Sequence, residues 1–157
     1  MKTMNKVPTI PEPGEGMRGE HGHLAYLLRQ AGAAVRQTIE RALHDLGVTQ
    51  PQFLVMTMVN AYPSSSSADI ARLTMLTPQT ISLIVANLER AGRLTRSQNP
   101  EHGRIQFMEL TAQGRALLAT CRDRVVVVEA KISENLSPDE EQTLRRWLVD
   151  LASRDLT

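Results

Sequence analysis

The chain has 157 residues, of which 41% are apolar, 22% charged and 3% aromatic. This length and composition favour one globular domain with its own core over a multidomain or disordered protein. No stretch reaches the roughly 20 consecutive apolar residues that a membrane-spanning helix needs, and the N-terminal stretch lacks the apolar centre of a secretory signal. We therefore expect a cytoplasmic protein with no membrane partner. The lone Cys121 excludes an intrachain disulfide and a cysteine-cluster metal site.

The net charge of +1 is unevenly distributed along the chain. From Arg72 to Arg115 there are six arginines and three glutamates, whereas the rest of the chain has 12 basic and 14 acidic residues. A positive middle on a slightly negative scaffold is typical of a compact anion-binding module. A shift of this size also arises by chance.

The first part of the chain contains several proline and glycine residues. They predict a flexible lead-in over Met1 to Gly19, which we extend to residue 22. From Leu24 to Leu46 apolar residues recur at the spacing of one helical face, and Gly47 is a C-terminal stop signal. Thr49 to Pro51 caps and starts a second helix, and Tyr62 and Pro63 end it.

Two short helices are predicted next, over Ser67 to Leu73 and over Thr77 to Ala91, with only three residues between them. Thr77 can cap the second helix, and Pro78 suits its first position because that position has an N–H to spare. Gly92 marks its end.

After Gly92 the apolar residues no longer follow the helical spacing. Two short runs with strand propensity, Leu94 to Arg96 and Ile105 to Leu110, flank a turn-forming stretch and predict one β-hairpin. A long helix follows from Thr111 to Ile132, and a capping box that starts at Ser137 opens the last helix. The predicted fold class is mainly α with a small β-hairpin wing (α+β).

Two helices joined by a short turn and followed by a hairpin predict a winged helix-turn-helix, whose second helix enters the DNA major groove. Gln can pair bidentately with adenine, Thr and Ser reach phosphates or bases, and a helix N-terminus favours a phosphate. Arg104 at the hairpin tip can reach a narrow minor groove. Solvated side chains are the alternative for each residue taken singly. The candidate DNA-binding residues are Ser67, Thr77, Pro78, Gln79, Thr80, Ser82, Arg96, His102 and Arg104.

These segments, in this order, resemble the MarR family of bacterial transcriptional regulators from Leu24 to Leu151. The resemblance rests on the run from Leu46 to Phe53, the run from Ala68 to Leu73, the two ends of the second short helix (Thr77 to Thr80 and Leu88 to Gly92), and the wing from Arg96 to Gly114. The family wing motif usually places an Asp two residues before the minor-groove Arg. Here that Arg is Arg104, and His102 replaces the Asp.

Two departures from the family pattern concern charge. Leu83 stands where many members have a basic residue, which should weaken phosphate-driven binding. His102 would make DNA affinity fall as the pH rises above about 6.5 if its charged form touches DNA.

The resemblance implies a homodimer whose first and last two helices interlock, with a helical dimerisation region at residues 23–48 and 112–156. A DNA-binding lobe at residues 49–111 completes this winged helix-turn-helix architecture. An intramolecular bundle is the alternative for the long apolar stripes. The resemblance also implies a repressor of a pseudo-palindromic operator, released by a small phenolic or anionic effector. The candidate ligand-binding residues, each of which also fits core packing, are His23, Tyr26, Gln30, Phe53 and Met56.

No motif predicts a cofactor, a metal or an enzyme. His21 and His23 fall short of the three or four ligands that zinc sites use, and there is no phosphate-binding glycine loop, HExxH pair or nucleophile elbow. Cys121 lies on an apolar stripe and is predicted to be an inert buried thiol. The main alternative function is a winged-helix protein-interaction module without sequence-specific DNA binding, which Leu83 and the modest positive patch favour.

Overall fold

The computed structural model of the protein describes residues 9–98 and 106–155. This part of the chain is mainly helical with one two-stranded antiparallel hairpin, as the sequence predicts. The elements are α1 (Leu24–Leu43), α2 (Gln50–Ala61), α3 (Ser67–Thr74), α4 (Pro78–Arg90), β1 (Leu94–Gln98), β2 (Gln106–Leu110), α5 (Ala112–Ser133) and α6 (Pro138–Ser153). The chain divides into two compact units, one ending at Thr38 and one starting at Ile39.

The first unit contains the segment that precedes α1. A 3-10 turn spans Gly16–Arg18, and the Arg18 guanidinium donates to the Pro11 carbonyl (2.7 Å) and to Gln30 Oε1 (3.1 Å). Gln30 Nε2 donates back to the Arg18 carbonyl at 3.1 Å. Arg18 and Gln30 thus satisfy each other's polar groups. The flexible lead-in that proline and glycine predict stays a prediction.

Side-chain caps fix the starts of five helices. At each start a Ser or Thr hydroxyl accepts from the backbone N–H three residues on, which satisfies one of the unpaired donors of a helix N-terminus. The capping residues are Thr49, Ser66, Thr77, Thr111 and Ser137. The capping roles predicted for Thr49, Thr77 and Ser137 are confirmed, and Thr111 caps the helix that is predicted to start there.

The first predicted helix ends earlier than its apolar stripe. The α-helix stops at Leu43, a 3-10 turn covers His44–Leu46, and Gly47 then adopts the left-handed conformation with φ 62°. The prediction that Gly47 ends this helix is thus confirmed. The last turn is a 3-10 turn, which is tighter than the α-helical turn that the spacing of apolar residues predicts. The β-branched run from Val125 to Val128 lies within α5, as the helical spacing before it favours.

One core in the second unit joins α2, α3, α4, the hairpin and the start of α5. Met108 of β2 is almost completely buried, and its N–H donates to the Ser65 carbonyl (3.3 Å) just before α3. In the hairpin Leu94 pairs with Leu110, and Gln98 pairs with Gln106. The hairpin is therefore packed against the helix pair at its base, which fixes where the wing emerges.

Candidate nucleic-acid interface

The helix pair α3 and α4 has the short connection that a helix-turn-helix needs. α3 ends at Thr74, whose buried hydroxyl donates to the Ile70 carbonyl at 2.7 Å. Met75 then turns the chain in a left-handed conformation with φ 56°. The turn consists of Met75, Leu76 and Thr77, one residue later than the sequence predicts, because Thr74 completes α3.

The N-terminus of α4 carries the polar residues that the sequence predicts for base and phosphate contact. Thr77 Oγ1 accepts from the Thr80 N–H at 3.2 Å and lies 2.9 Å from Thr80 Oγ1. The Ser82 hydroxyl donates to the Pro78 carbonyl at 2.9 Å. These three hydroxyls are thus held by hydrogen bonds within α4 and its N-cap.

Gln79 differs from these hydroxyl residues. It is exposed, and its amide has no hydrogen bond among residues 9–98 and 106–155. The opposite side of α4 is anchored in the core by Ile81, Ile84, Val85 and Leu88. The amide is therefore presented outwards on a fixed helix, and both its donors and its acceptor are available.

Most arginines near the helix pair have partners within the protein. Arg72 pairs with Asp69 one turn earlier on α3, and Arg90 donates to Asn87 at 3.2 Å. Arg96 on β1, a predicted DNA contact, lies 2.8 Å from Glu89 on α4. Arg72 and Arg96 are thus compensated by a carboxylate at short range, whereas Arg90 keeps its charge beside a neutral amide.

Asp69 belongs to the capping box of α3. Hydrogen bonds from the hydroxyl and the backbone N–H of Ser66, followed by the nearby Arg72, lower the pKa of Asp69 from 3.8 to about 2. The carboxylate is consequently charged at neutral pH and stabilises the start of the helix. Ser67, the first residue of α3 and a predicted DNA contact, is half-buried and directs its hydroxyl towards Met108 Sδ (3.9 Å).

The predicted wing residues His102 and Arg104 lie outside the described residues. What the structure does describe is the wing base, which is tied to α5. The Thr111 hydroxyl donates to the Gly92 carbonyl (2.7 Å), and the Thr111 N–H donates to the Arg93 carbonyl (3.1 Å). Gly114 is so close to this turn that a Cβ at its position would lie 1.9 Å from the Arg93 carbonyl oxygen.

Two of the five candidate ligand-binding residues meet at one cavity. Tyr26 and Gln30 line a cavity of about 640 Å³ in the first unit, together with Arg18 and Arg29 and an otherwise largely apolar wall. His23 is exposed just before α1 and does not line this cavity. In the second unit, Phe53 is half-buried against the core, and Met56 is fully buried within it.

Sequence reasoning missed Arg18, Glu89 and Gly114. Arg18 lies in a segment whose composition predicts no structure, and Glu89 looks like an ordinary exposed helix residue. A glycine three residues after a capping Thr is a visible signal, but only the fold brings it against Arg93. The side chain of Thr57 on α2 was also missed: its Oγ1 is buried and has no hydrogen-bond partner among the described residues.

Cys121 is fully buried, and this desolvation raises the pKa of its thiol, an effect that nearby Arg93 partly opposes. A thiol in this environment is a poor nucleophile. In the described part of the chain, no group of three or more His, Cys, Asp or Glu side chains could hold a metal ion. Among the same residues, no helix combines the length and apolar character required to cross a membrane.

Residues 46–105, which contain α2, the helix pair and β1, match the model of the MarR family. The HTH-type transcriptional repressor Rv2887 of Mycobacterium tuberculosis is 35% identical over 130 residues, which cover 83% of this chain and 94% of the relative. Its crystal structure in complex with salicylic acid covers 84% of this chain and 98% of its own, with 33% identity and a TM-score of 0.68. The transcriptional repressor CouR bound to a 23-mer DNA duplex is 26% identical over 83% of this chain and 92% of its own, with a TM-score of 0.77. The identity and coverage shared with Rv2887 establish that this chain belongs to the MarR family of transcriptional regulators.

Proposed function

We propose that this protein is a homodimeric repressor of transcription that binds a pseudo-palindromic site on double-stranded DNA and is released by a small anionic aromatic ligand. The observation that carries the proposal is the orientation of α4, with one side buried in the core and the other exposed. Its inner side is fixed in the core, and its outer side offers the Gln79 amide, which has no partner among the described residues, at the end of the helix that would enter the major groove. The repressor relatives Rv2887 and CouR support the same function.

In this proposal the nine predicted residues have different roles. Gln79 reads a base edge, because a free Gln amide matches the N6 and N7 of adenine. Thr77, Thr80 and Ser82 donate hydroxyl hydrogen bonds to phosphates beside the start of α4, for which Ser82 gives up its bond to the Pro78 carbonyl, and Pro78 sets the first turn of that helix. Ser67 lies at the N-terminus of α3, and Arg96, His102 and Arg104 belong to the wing, with Arg104 as the minor-groove contact.

The helices outside the core support dimerisation. α6 is described in full and has no buried residue, although Leu144, Trp147 and Leu148 form an apolar stripe along it. On α1, Leu24 and Leu28 are likewise exposed. A second copy of the chain would cover such stripes, and its two-fold symmetry would place the two α4 helices about 34 Å apart, one turn of DNA. We therefore assign residues 23–48 and 112–156 to dimerisation and residues 49–111 to DNA binding.

The cavity beside Tyr26 and Gln30 supports a carboxylate effector. Its wall is largely apolar, which suits an aromatic ring, and the guanidinium groups of Arg18 and Arg29 can pair with a carboxylate. The salicylic acid complex of Rv2887 points to the same ligand class. Release from DNA requires that the ligand bind more tightly to the form that does not fit DNA.

We further propose that the protein acts in the cytoplasm and by binding alone, without catalysis. The second candidate function is a protein-interaction module. The specific observation in its favour is that Arg72 and Arg96 form ion pairs with Asp69 and Glu89, which leaves fewer cations for phosphates.

Selection of bound sequences from a random duplex pool, followed by a salt titration on the enriched site, tests the function. A DNA-binding dimer should enrich an inverted repeat, and its affinity should fall steeply with log salt because each neutralised phosphate releases counterions. A folded protein that enriches no sequence would favour the protein-interaction module.

The effector is tested on the resulting complex by titration with salicylic acid. Binding should release the DNA, and Arg18→Ala should raise the concentration required. Arg36→Ala, which removes an arginine of α1 that does not line the cavity, is the matched control and should respond like the wild type. Equal sensitivity in the two variants would place the ligand elsewhere.

A further inference from the structure

The outward face of α4 combines polar and apolar residues in a fixed order. Gln79, Leu83, Ala86 and Arg90 follow one another at spacings of four, three and four residues, which places them in one row along the helix. Leu83 is 64% exposed, although it lies between the buried Ile81 and Val85. An isobutyl group therefore projects from the middle of the face that would meet DNA.

We propose that Leu83 is a specificity-determining residue that contacts the C5 methyl group of a thymine in each half-site. This inference rests on the proposed DNA-binding function. On the base edges of the major groove, the thymine methyl is the only apolar group, so it is the one base feature that an aliphatic side chain can recognise. A Leu that stays 64% exposed gains little from folding at this position, but it gains further buried apolar area against such a methyl.

The position of the thymine follows from helix geometry. Gln79 precedes Leu83 by four residues, which is about 6 Å along the helix axis. Successive base pairs are about 3.4 Å apart. A thymine contacted by Leu83 therefore lies within about two base pairs of the adenine that Gln79 reads. Each half-site contains an A and a T at this short separation.

The polar neighbours of Leu83 strengthen this assignment because none of them is placed to contact the same base. The Ser82 hydroxyl is held by the Pro78 carbonyl. Arg90, at the other end of the row, donates to Asn87 and lies beyond the N-terminal turns of the helix that enter the groove. Between Gln79 and Arg90, the outward row consists of Leu83 and the half-buried Ala86.

The test removes single methyl groups from the DNA. In the site enriched from a random pool, each thymidine is replaced in turn by deoxyuridine, which keeps the base pair and loses only the C5 methyl. We expect one position in each half-site where this change weakens wild-type binding about fourfold, the value for one buried methyl-sized group. At that position, cytosine should bind more weakly than 5-methylcytosine, because only the latter restores the methyl.

Variants of the protein connect the effect to Leu83. Leu83→Ala, at an exposed helical position where Ala favours the helix, should bind thymidine and deoxyuridine sites equally. Gln79→Ala is the matched control from the same face. It should lose adenine preference and keep the methyl effect.

Two results would overturn the proposal while leaving DNA binding intact. One is a salt-sensitive, sequence-specific complex in which no thymidine-to-deoxyuridine change alters affinity by more than twofold. The other is an unchanged methyl effect in Leu83→Ala. A folded wild-type protein that binds no duplex would instead overturn the proposed function and this inference together.

Discussion

Arg96 on β1 forms an ion pair with Glu89 on α4, with Nη2 and Oε2 2.8 Å apart. Both side chains are about one-third exposed, so the pair contributes only about 0–1 kcal/mol to folding. The larger consequence of this ion pair is that it fixes the positions of the two elements that it connects. The pair connects the base of the wing to the recognition helix and occupies an arginine that the sequence assigns to phosphate contact.

Replacement of Glu89 should therefore strengthen DNA binding. Glu89→Gln removes a negative charge beside the DNA and frees Arg96 for a phosphate, so the slope of log affinity against log salt should steepen by up to about two for the two subunits. Glu141→Gln breaks a comparable surface pair with Arg145 on α6 and is the control. An unchanged salt slope in Glu89→Gln would mean that Arg96 does not reach a phosphate.

The wing arginine gives a second prediction. Arg104→Ala should weaken DNA binding by about 1–3 kcal/mol, because a guanidinium in a narrow minor groove is lost. Affinity measured on the enriched site at fixed salt tests this change. Arg36→Ala, on α1, controls for the loss of a positive charge and should leave affinity close to that of the wild type. Equal affinities of the Arg104 variant and the wild type would show that the wing does not engage DNA.

Local signals account for most of the fold. The caps at Thr49, Thr77, Thr111 and Ser137 and the stop at Gly47 depend on residues within one turn of each other, so the sequence contains the information needed to find them. The order of helix pair and hairpin then predicts the architecture and the face of α4 that carries Gln79.

Relations between distant segments could not be found in this way. The pair Arg96 and Glu89 and the mutual hydrogen bonds of Arg18 and Gln30 depend on side-chain partners that only the folded chain selects. Met56 illustrates the same limit. Its spacing on α2 fits a ligand cavity as well as a core, and the structure places it in the core.

Gly114 allows a direct test of the contact between the wing base and α5. A Cβ there would lie 1.9 Å from the Arg93 carbonyl oxygen, a backbone atom that also accepts from the Thr111 N–H. Gly114→Ala should therefore destabilise the protein by about 2–3 kcal/mol, since the backbone must shift. Chemical unfolding at one protein concentration measures this, because dimerisation contributes to apparent stability.

Gly32→Ala is the matched control for this substitution. Gly32 is helical and would have nothing within 4 Å of an added Cβ, so helix propensity should stabilise this variant by up to about 1 kcal/mol. If Gly114→Ala were as stable as the wild type, the close approach to Arg93 would not exist in solution.

The capping box of α3 predicts how stability depends on pH. The pKa of Asp69 is lowered from 3.8 to about 2 by hydrogen bonds from Ser66 and by Arg72. Since the folded pKa lies below the unfolded one, the stabilisation is complete above the unfolded value and is lost as the pH falls through about 2.

Asp69→Ala should lower the free energy of unfolding by about 1 kcal/mol at pH 6, as loss of a cap does. Its difference from the wild type should shrink between roughly pH 4 and pH 2, because every other carboxylate is common to both proteins and cancels. Ser66→Ala should shrink the same pH dependence, since it removes the hydroxyl that contributes most to the low pKa of Asp69. Urea unfolding across this range measures both variants, and a constant difference down to pH 2 would contradict the capping role of the Asp69 carboxylate.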